Sequence, residues 1–232
     1  MTELFRFTDV RCEGSERAYT FTLHSGETRL LQLSSKKEKY AMIDNAIGET
    51  VCGEGAIEIV QGDRRCKKAA VSGPLGERRL NNQPVPMIWQ PLSAGRPGRV
   101  GWVAANGGLI SNLKIWENIT LPLWYYAQRD VNETEQRVRH WLGALGLEQD
   151  EFAKFMAAQP YSVESWQRKL AGLLRALLRL SPVLVVDAAL FEDVKTRLAN
   201  CWIMALESYA AEGRAALVIA DKATTLPWKK IG

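Results

Sequence analysis

The chain has 232 residues, 47% of them hydrophobic, and its 30 Lys and Arg against 26 Asp and Glu give a net charge of +4. This length and apolar content suffice for one domain with a buried core and argue against a disordered chain. The small, scattered positive excess does not favour nucleic-acid binding, and no apolar run or signal-peptide pattern indicates a membrane or secreted protein, so we expect a cytoplasmic one.

The first third of the chain predicts strands followed by a helix. Residues 4–10 and 18–24 alternate apolar and polar side chains, with aromatic and β-branched residues, and predict a small antiparallel sheet. After a turn at residues 25–27, residues 29–33 fit a short buried strand. The polar run SSKKEK then predicts a loop, and apolar residues at helical spacing predict a helix closed by Gly48.

The rest of the chain alternates helices and buried strands. Four prolines between residues 80 and 100 predict a connecting loop without regular structure. Beyond it, the predicted elements are a helix over 133–147, an apolar helix over 163–180, a buried strand VLVVDAAL over 183–190, a helix over 193–212 and a buried strand AALVIAD over 215–221. This order predicts an α/β fold with a parallel sheet.

One segment carries a resemblance to a known family. Residues 101–126, GWVAANGGLISNLKIWENITLPLWYY, are similar to the stretch around and after the glutamine loop of ABC-transporter ATP-binding subunits. The similarity is closest to the bacterial lipid-trafficking importers of the mammalian-cell-entry type. The matching groups are Asn112-Leu113-Lys114, Glu117-Asn118 and Leu121-Pro122-Leu123. The order of elements in the remaining chain agrees with such a subunit.

The resemblance implies a fold and a division of the chain. The expected fold is the P-loop NTPase-like fold of ABC ATPases, with a mainly parallel core sheet, an N-terminal antiparallel β-subdomain and a helical subdomain. Residues 1–232 would form a single domain of this kind. Residues 1–105 and 181–232 would build the α/β core with its β-subdomain, and residues 106–180 the helical subdomain with a signature-like helix.

The region aligned with the family's phosphate loop departs from its pattern. Such a loop needs glycines, because its backbone N–H groups must turn toward the phosphates. Counted from Gly26, the loop would occupy residues 33–41. Its lysine falls on Lys39, but Leu33, Lys36 and Glu38 stand in place of its glycines and Tyr40 in place of the magnesium-binding hydroxyl. Glu38 would also place a carboxylate beside any phosphate and oppose binding.

We therefore expect only a vestigial nucleotide site. Its residues are Ser34, Ser35, Lys36, Lys37, Lys39, Tyr40 and Asp187. The simplest interpretation of KKEK is a solvated turn. The alternative is that its three lysines hold some other anion.

The remaining ATPase motifs have changed as well. Asp187 agrees with the family's second magnesium-site carboxylate, but Ala188 stands where a glutamate activates water. Ala105 replaces the glutamine of the glutamine loop, and Asp221 replaces the switch histidine. Where the family's signature contacts phosphate, the segment VESWQ supplies Glu164, Ser165, Trp166 and Gln167. We expect no catalytic residue and no ATP hydrolysis.

No metal site and no bound cofactor are expected either. The four cysteines stand far apart without a Cys-x-x-Cys pair, and neither histidine lies near one of them. ATP with Mg²⁺ is left as an alternative that rests on Lys39 and Asp187 alone.

In the family, the stretch aligned with residues 106–124 faces the permease, and apolar and aromatic anchors are typical of such docking surfaces. The candidates are Asn106, Leu109, Leu113, Trp116, Glu117, Leu121 and Trp124, to which Ile115 and Tyr125 can be added. The alternative is that these side chains form the core of the helical subdomain.

Three functions remain open at this point. The first is a non-catalytic pseudo-ATPase subunit that docks on the cytoplasmic face of an inner-membrane permease of lipid-transport type, as a homodimer or beside a second ABC ATPase subunit. The second is an ATP-binding subunit with an atypical site, which magnesium-dependent ATP binding would favour. The third is a stand-alone regulatory protein, which a stable homodimer without membrane partners would favour.

Overall fold

The computed structural model describes residues 2–12, 15–50, 54–61, 88–92, 100–126 and 131–231. The strands are β1 (Glu3–Arg11), β2 (Ala18–His24), β3 (Glu27–Gln32), β4 (Glu54–Gln61), β5 (Ile88–Pro91), β6 (Val100–Val103), β7 (Val183–Asp187), β8 (Ala215–Ala220) and β9 (Lys229–Ile231). The helices are α1 (Lys36–Ile47), α2 (Ile115–Tyr126), α3 (Val131–Ala144), α4 (Phe152–Ala157), α5 (Ser165–Arg179) and α6 (Thr196–Ala211). Short 3-10 turns cover Gln149–Glu151, Pro160–Ser162 and Ala188–Phe191.

A parallel sheet of five strands, in the order β6-β7-β8-β3-β9, forms the centre of the fold. Every residue of β7 and β8 is buried, which explains their continuous apolar sequences. Successive side chains point to opposite faces. Leu184 and Val186 pack with helices α2 to α6, whereas Val183 and Val185 pack with α1 and β1. The prediction of a buried parallel sheet is confirmed.

A second, antiparallel sheet lies on the α1 side of the core and has the order β2-β1-β4-β5. Phe7 on β1 stacks on Phe21 of β2 with ring centroids 4.3 Å apart, and it meets the ring of Phe5 edge-on at 4.8 Å. The predicted strands at residues 4–10 and 18–24 therefore pair as expected. Apolar side chains of both sheets pack with those of α1 in one buried cluster.

The prediction of a structureless loop over residues 80–100 is wrong at β5 (Ile88–Pro91), which pairs with β4. Pro91 is tolerated there because β5 is the edge strand, where a missing N–H leaves no neighbouring strand unsatisfied. Residues 80–87 and 93–99 lie outside the described part of the chain.

Several predicted boundaries also shift. The strand predicted over 183–190 ends at Asp187, because the Asp187 carboxylate accepts the Ala189 N–H at 3.0 Å and begins a 3-10 turn. The helix predicted over 163–180 is α5 (Ser165–Arg179), and Leu180 ends it in the left-handed conformation, with φ 55°. Within the described residues, no helix has both the length and the apolar character needed to cross a membrane.

Candidate functional site

The polar run after β3 is the start of a helix rather than a loop. Ser35 precedes α1, and its side chain accepts the Glu38 N–H at 3.2 Å, which is the N-cap geometry that favours helix formation. Lys36 and Lys37 are exposed, but Glu38 is only 4% exposed and Lys39 only 2%. The expected solvated turn is therefore wrong for the second half of KKEK, whose two charged side chains are buried.

Lys39 is held between two carboxylates. Its Nζ lies 3.1 Å from Asp187 Oδ1 and 3.4 Å from Asp221 Oδ2. Asp187 ends β7 and Asp221 follows β8, which neighbours β3 in the sheet, so the carboxyl ends of adjacent parallel strands bring the three residues together. Burial lowers the pKa of Lys39, but the hydrogen bond to Asp187 and the charges of both aspartates outweigh burial and raise it. We call these three residues the lysine cluster.

Glu38 is surrounded by hydrogen-bond donors. Its Oε1 accepts from Ser15 Oγ at 2.7 Å and from the Tyr19 hydroxyl at 2.9 Å. Its Oε2 accepts from the Ser34 N–H at 2.9 Å and from Ser34 Oγ at 2.6 Å. We call these four residues the Glu38 network. The sequence carries no signal for this network, because Tyr19 lies on β2 of the antiparallel sheet and Ser15 lies in the connection before β2.

The Glu38 network changes the acidity of two of its members. Burial raises the pKa of Glu38, but hydrogen bonds from Ser34, Ser15 and Tyr19 outweigh burial and lower it to about 2. Burial and the hydrogen bond to Glu38 raise the pKa of Tyr19 to about 12. At neutral pH the network therefore contains one carboxylate and neutral donors.

A magnesium-nucleotide complex does not fit these side chains. The Ser34 N–H, which stands just before α1, is already bonded to Glu38. Asp187 is engaged by Lys39 and by the Ala189 N–H. Tyr40 places an exposed aromatic ring 5.0 Å from Lys39 Nζ rather than a small hydroxyl. Among the described residues, no group of three or more His, Cys, Asp or Glu could hold a metal ion.

Side chains of the signature-like segment form hydrogen bonds within the segment at the start of α5. The Glu164 N–H donates to Gln167 Oε1 at 3.0 Å, and Trp166 Nε1 donates to Glu164 Oε2 at 2.7 Å. Glu164 and Ser165 are exposed, and Trp166 packs partly buried against the core. The carboxylate and the indole therefore lie together at the N-terminal end of α5.

Residues 106–114, which we call the outer loop, are held in one conformation by Asn118. Asn118 is 1% exposed, and its Oδ1 accepts the Ile110 N–H at 2.7 Å. Its Nδ2 lies within 3.1 Å of the carbonyl oxygens of Ile110, Leu113 and Lys114. One buried side chain thus bonds the backbone in the middle of the loop and at its end.

The outer loop is also pressed against α5. Gly107 has φ 86°, and a Cβ there would lie 2.1 Å from the Arg168 carbonyl oxygen. A Cβ at Gly172 would lie 2.3 Å from the Gly107 carbonyl oxygen, so both positions need glycine. Arg175 donates to the carbonyl oxygens of Gly108 at 2.9 Å and Gly107 at 3.1 Å.

The candidate docking residues divide into exposed and partly buried ones. Asn106 is exposed, and Trp124 is 52% exposed. The partly buried ones are Leu109, Leu113, Trp116, Glu117 and Leu121, of which Leu109 and Trp116 pack against the core. Ile115 is fully buried, so its place among the surface candidates is wrong. The side chain of Tyr125 lies outside the described part of the chain.

The sequence prediction missed Ile110, an exposed apolar side chain on the outer loop. The available signal was the preceding Gly107-Gly108 pair, because two successive positive φ angles turn the chain outward there. Sequence reasoning also missed the role of Asp221, which supplies a second carboxylate to the lysine cluster.

Solved structures share this arrangement of sheets and helices. The chain superposes on the ATP-binding subunit of an ABC transporter with a TM-score of 0.67 and 16% identity, covering 94% of this chain and 79% of that one. The fold is that of an ABC transporter ATP-binding cassette. A cassette dimer in a post-hydrolysis state with ADP and phosphate gives a TM-score of 0.63 at 17% identity, with 94% of this chain and 88% of that one covered.

A nucleotide-free cassette from an ABC transporter is similar to the same degree, with a TM-score of 0.63 and 14% identity over 94% of this chain and 81% of that one. No protein-family model matches the sequence, and no curated protein matches it. The predicted fold class, an ABC ATPase fold with a parallel core sheet, an antiparallel β-subdomain and helices, is confirmed. Identities this low establish the fold alone.

Proposed function

We propose that this chain is a non-catalytic, cassette-like subunit that neither binds nor hydrolyses ATP. The observation that carries the proposal is the lysine cluster, in which the one retained phosphate-loop side chain is buried and neutralised by Asp187 and Asp221. A lysine paired in this way has no free charge for a nucleotide phosphate, and opening the pair would leave the buried Asp187 carboxylate without its cation. Ala188 supplies no base to activate water.

The subunit is proposed to act by docking on a cytoplasmic face of an inner-membrane permease. The outer loop and the exposed end of α2 support this, because they place Ile110 and Trp124 at the surface on a backbone held rigid by Asn118 and Arg175. A rigid backbone lowers the entropy lost on binding, and exposed aromatic and aliphatic anchors contribute much of the affinity of such surfaces.

The finer assignments rest on resemblance. The similarity of residues 101–126 to lipid-trafficking importers supports a permease of lipid-transport type. One of the structurally similar cassettes is a dimer, which supports pairing with a second copy of this chain or with another ABC ATPase subunit. Neither arrangement would require a complete ATP site from this chain.

Purification of the tagged chain from detergent-solubilised membranes of its own host tests the docking proposal. We expect a polytopic membrane protein to co-purify with the wild type and to be lost with Trp124→Ala. The matched control is Tyr161→Ala, which removes an even more exposed aromatic ring, 79% exposed, outside the proposed surface. Equal recovery of the membrane protein with Trp124→Ala and the wild type would count against this surface.

A further inference from the structure

The Glu38 network opens onto the molecular surface. A pocket of about 340 Å³ lies beside it and is lined by Ser15, Glu16, Arg17, Ser34, Ser35, Lys37 and Glu38. Three of these residues belong to the network. Glu38 itself lines this pocket, so a small anion could reach the position of its carboxylate from solvent once the side chain is removed.

The donors of the network come from separate parts of the chain and converge on one carboxylate. Ser15 lies between β1 and β2, Tyr19 lies on β2, and Ser34 lies between β3 and α1. Together they supply three hydroxyl groups and one backbone N–H at 2.6 to 2.9 Å from the two oxygens. The Tyr19 hydroxyl is buried and costly to leave without an acceptor, whereas the exposed Ser34 and the half-buried Ser15 can also donate to water.

We propose that Ser15, Tyr19 and Ser34 form an oxyanion pocket that the chain fills permanently with its own Glu38 carboxylate, and that removing this carboxylate opens the pocket to an external carboxylate. The inference deepens the proposed function and rests on it in one respect, namely that the wild-type pocket is closed to external anions. Because the anion is covalently attached, the pocket is filled without any dissolved ligand as long as Glu38 is ionised.

The filled pocket also joins the two sheets. Tyr19 belongs to the antiparallel sheet, whereas Ser34 lies in the connection that follows β3 of the parallel sheet and Glu38 in the first turn of α1. A diffusing anion would make this link only while bound. Glu38 makes it a constant part of the fold.

Chemical rescue of Glu38→Ala with acetate tests the inference. Loss of the carboxylate removes four hydrogen bonds and leaves the buried Tyr19 hydroxyl without its acceptor, and we expect the Tm to fall by about 5–10 °C. Sodium acetate should then raise the Tm of the variant saturably, by about 3–6 °C at ten times its Kd. Sodium chloride at equal ionic strength provides the baseline, and the wild type should respond equally to both salts.

The matched control is Glu27→Ala, which removes a partly buried carboxylate that accepts one backbone N–H, from His24 at 3.1 Å. Acetate should stabilise this variant no more than chloride does. An acetate response of Glu38→Ala that equals its chloride response would overturn the inference. ATP binding to the wild type would overturn the proposed function instead, so the two failures are distinct.

A second variant covers the case in which Glu38→Ala does not fold. Tyr19→Phe keeps the carboxylate and removes one donor, so the pKa of Glu38 measured by carbon-detected NMR should rise by about 1 relative to wild type. An unchanged pKa would show that the tyrosine hydroxyl does not stabilise the carboxylate and would contradict the pocket.

Discussion

The lysine cluster and the outer loop use polar groups in opposite ways. In the lysine cluster, charged side chains that would face a ligand are turned inward and satisfied by one another. In the outer loop, buried polar side chains satisfy the backbone, which leaves the apolar Ile110 exposed. A site closed to ligands and a surface prepared for a partner can thus be distinguished by the groups that their polar side chains bond. In the closed site the side chains bond one another, and in the surface loop they bond the backbone.

The largest effect is expected from breaking the lysine cluster. Lys39→Met removes the cation and leaves the buried Asp187 carboxylate uncompensated beside the partly exposed Asp221, which should cost about 3–5 kcal/mol of unfolding free energy. Urea unfolding measures the loss. The control is Lys37→Met, an exposed lysine in the same helical turn that should change stability by less than about 0.5 kcal/mol. Equal effects of the two substitutions would refute the cluster.

The Glu38 network predicts that the unfolding free energy falls in acid, by slightly less than the loss expected for Lys39→Met. Folding lowers the pKa of Glu38 from 4.5 to about 2, so its stabilisation is present above pH 4.5 and is lost as the pH falls from 4.5 through 2. The wild type should lose about 3 kcal/mol over this range from this group alone. Glu38→Gln should lack that part of the slope, and parallel pH profiles of the two proteins would contradict the assignment.

A smaller loss is expected when the outer loop is pushed away from α5. Gly172→Ala forces a Cβ against the Gly107 carbonyl, at an expected cost of about 1–3 kcal/mol and with faster proteolysis of the loop. Gly143→Ala, on α3 with nothing within 4 Å of the added Cβ, should instead stabilise by about 0.5–1 kcal/mol. The same sign for both substitutions would show that the close contact does not matter.

The smallest effect on stability is expected for a substitution on the proposed docking surface. Trp124→Ala should change the unfolding free energy by less than about 0.5 kcal/mol, because half of the side chain is in solvent. Its Tm, measured beside that of the wild type, separates loss of docking from loss of folding. A drop of several degrees would place Trp124 in the core and support the core interpretation of the segment.

Much of the fold could be predicted from the sequence because it follows from local patterns. The buried strands β7 and β8 show as apolar runs, and Gly48 ends α1 in the left-handed conformation as expected. The start of α1 was not predicted, because the run of charged residues KKEK indicated a loop although Ser35 is an N-cap. An N-cap serine followed by glutamate three residues later was the available signal.

The candidate site could be predicted only in part. The alignment placed Lys39 and Asp187 in one site, and their contact agrees with that. The partners of Glu38 could not be predicted, because Tyr19 reaches it from another sheet and 19 residues away in the sequence. The same holds for Asp221, whose pairing with Lys39 depends on the order of the parallel strands.

Calorimetric titration of the purified protein with ATP and Mg²⁺ measures directly whether the chain binds nucleotide. We expect no saturable heat up to millimolar ATP, because Lys39 is neutralised within the chain and Glu38 already accepts the hydrogen bonds that a phosphate would need. A saturable, magnesium-dependent isotherm that disappears in a folded Lys39→Met variant would contradict this expectation and return the chain to the nucleotide-driven cassettes.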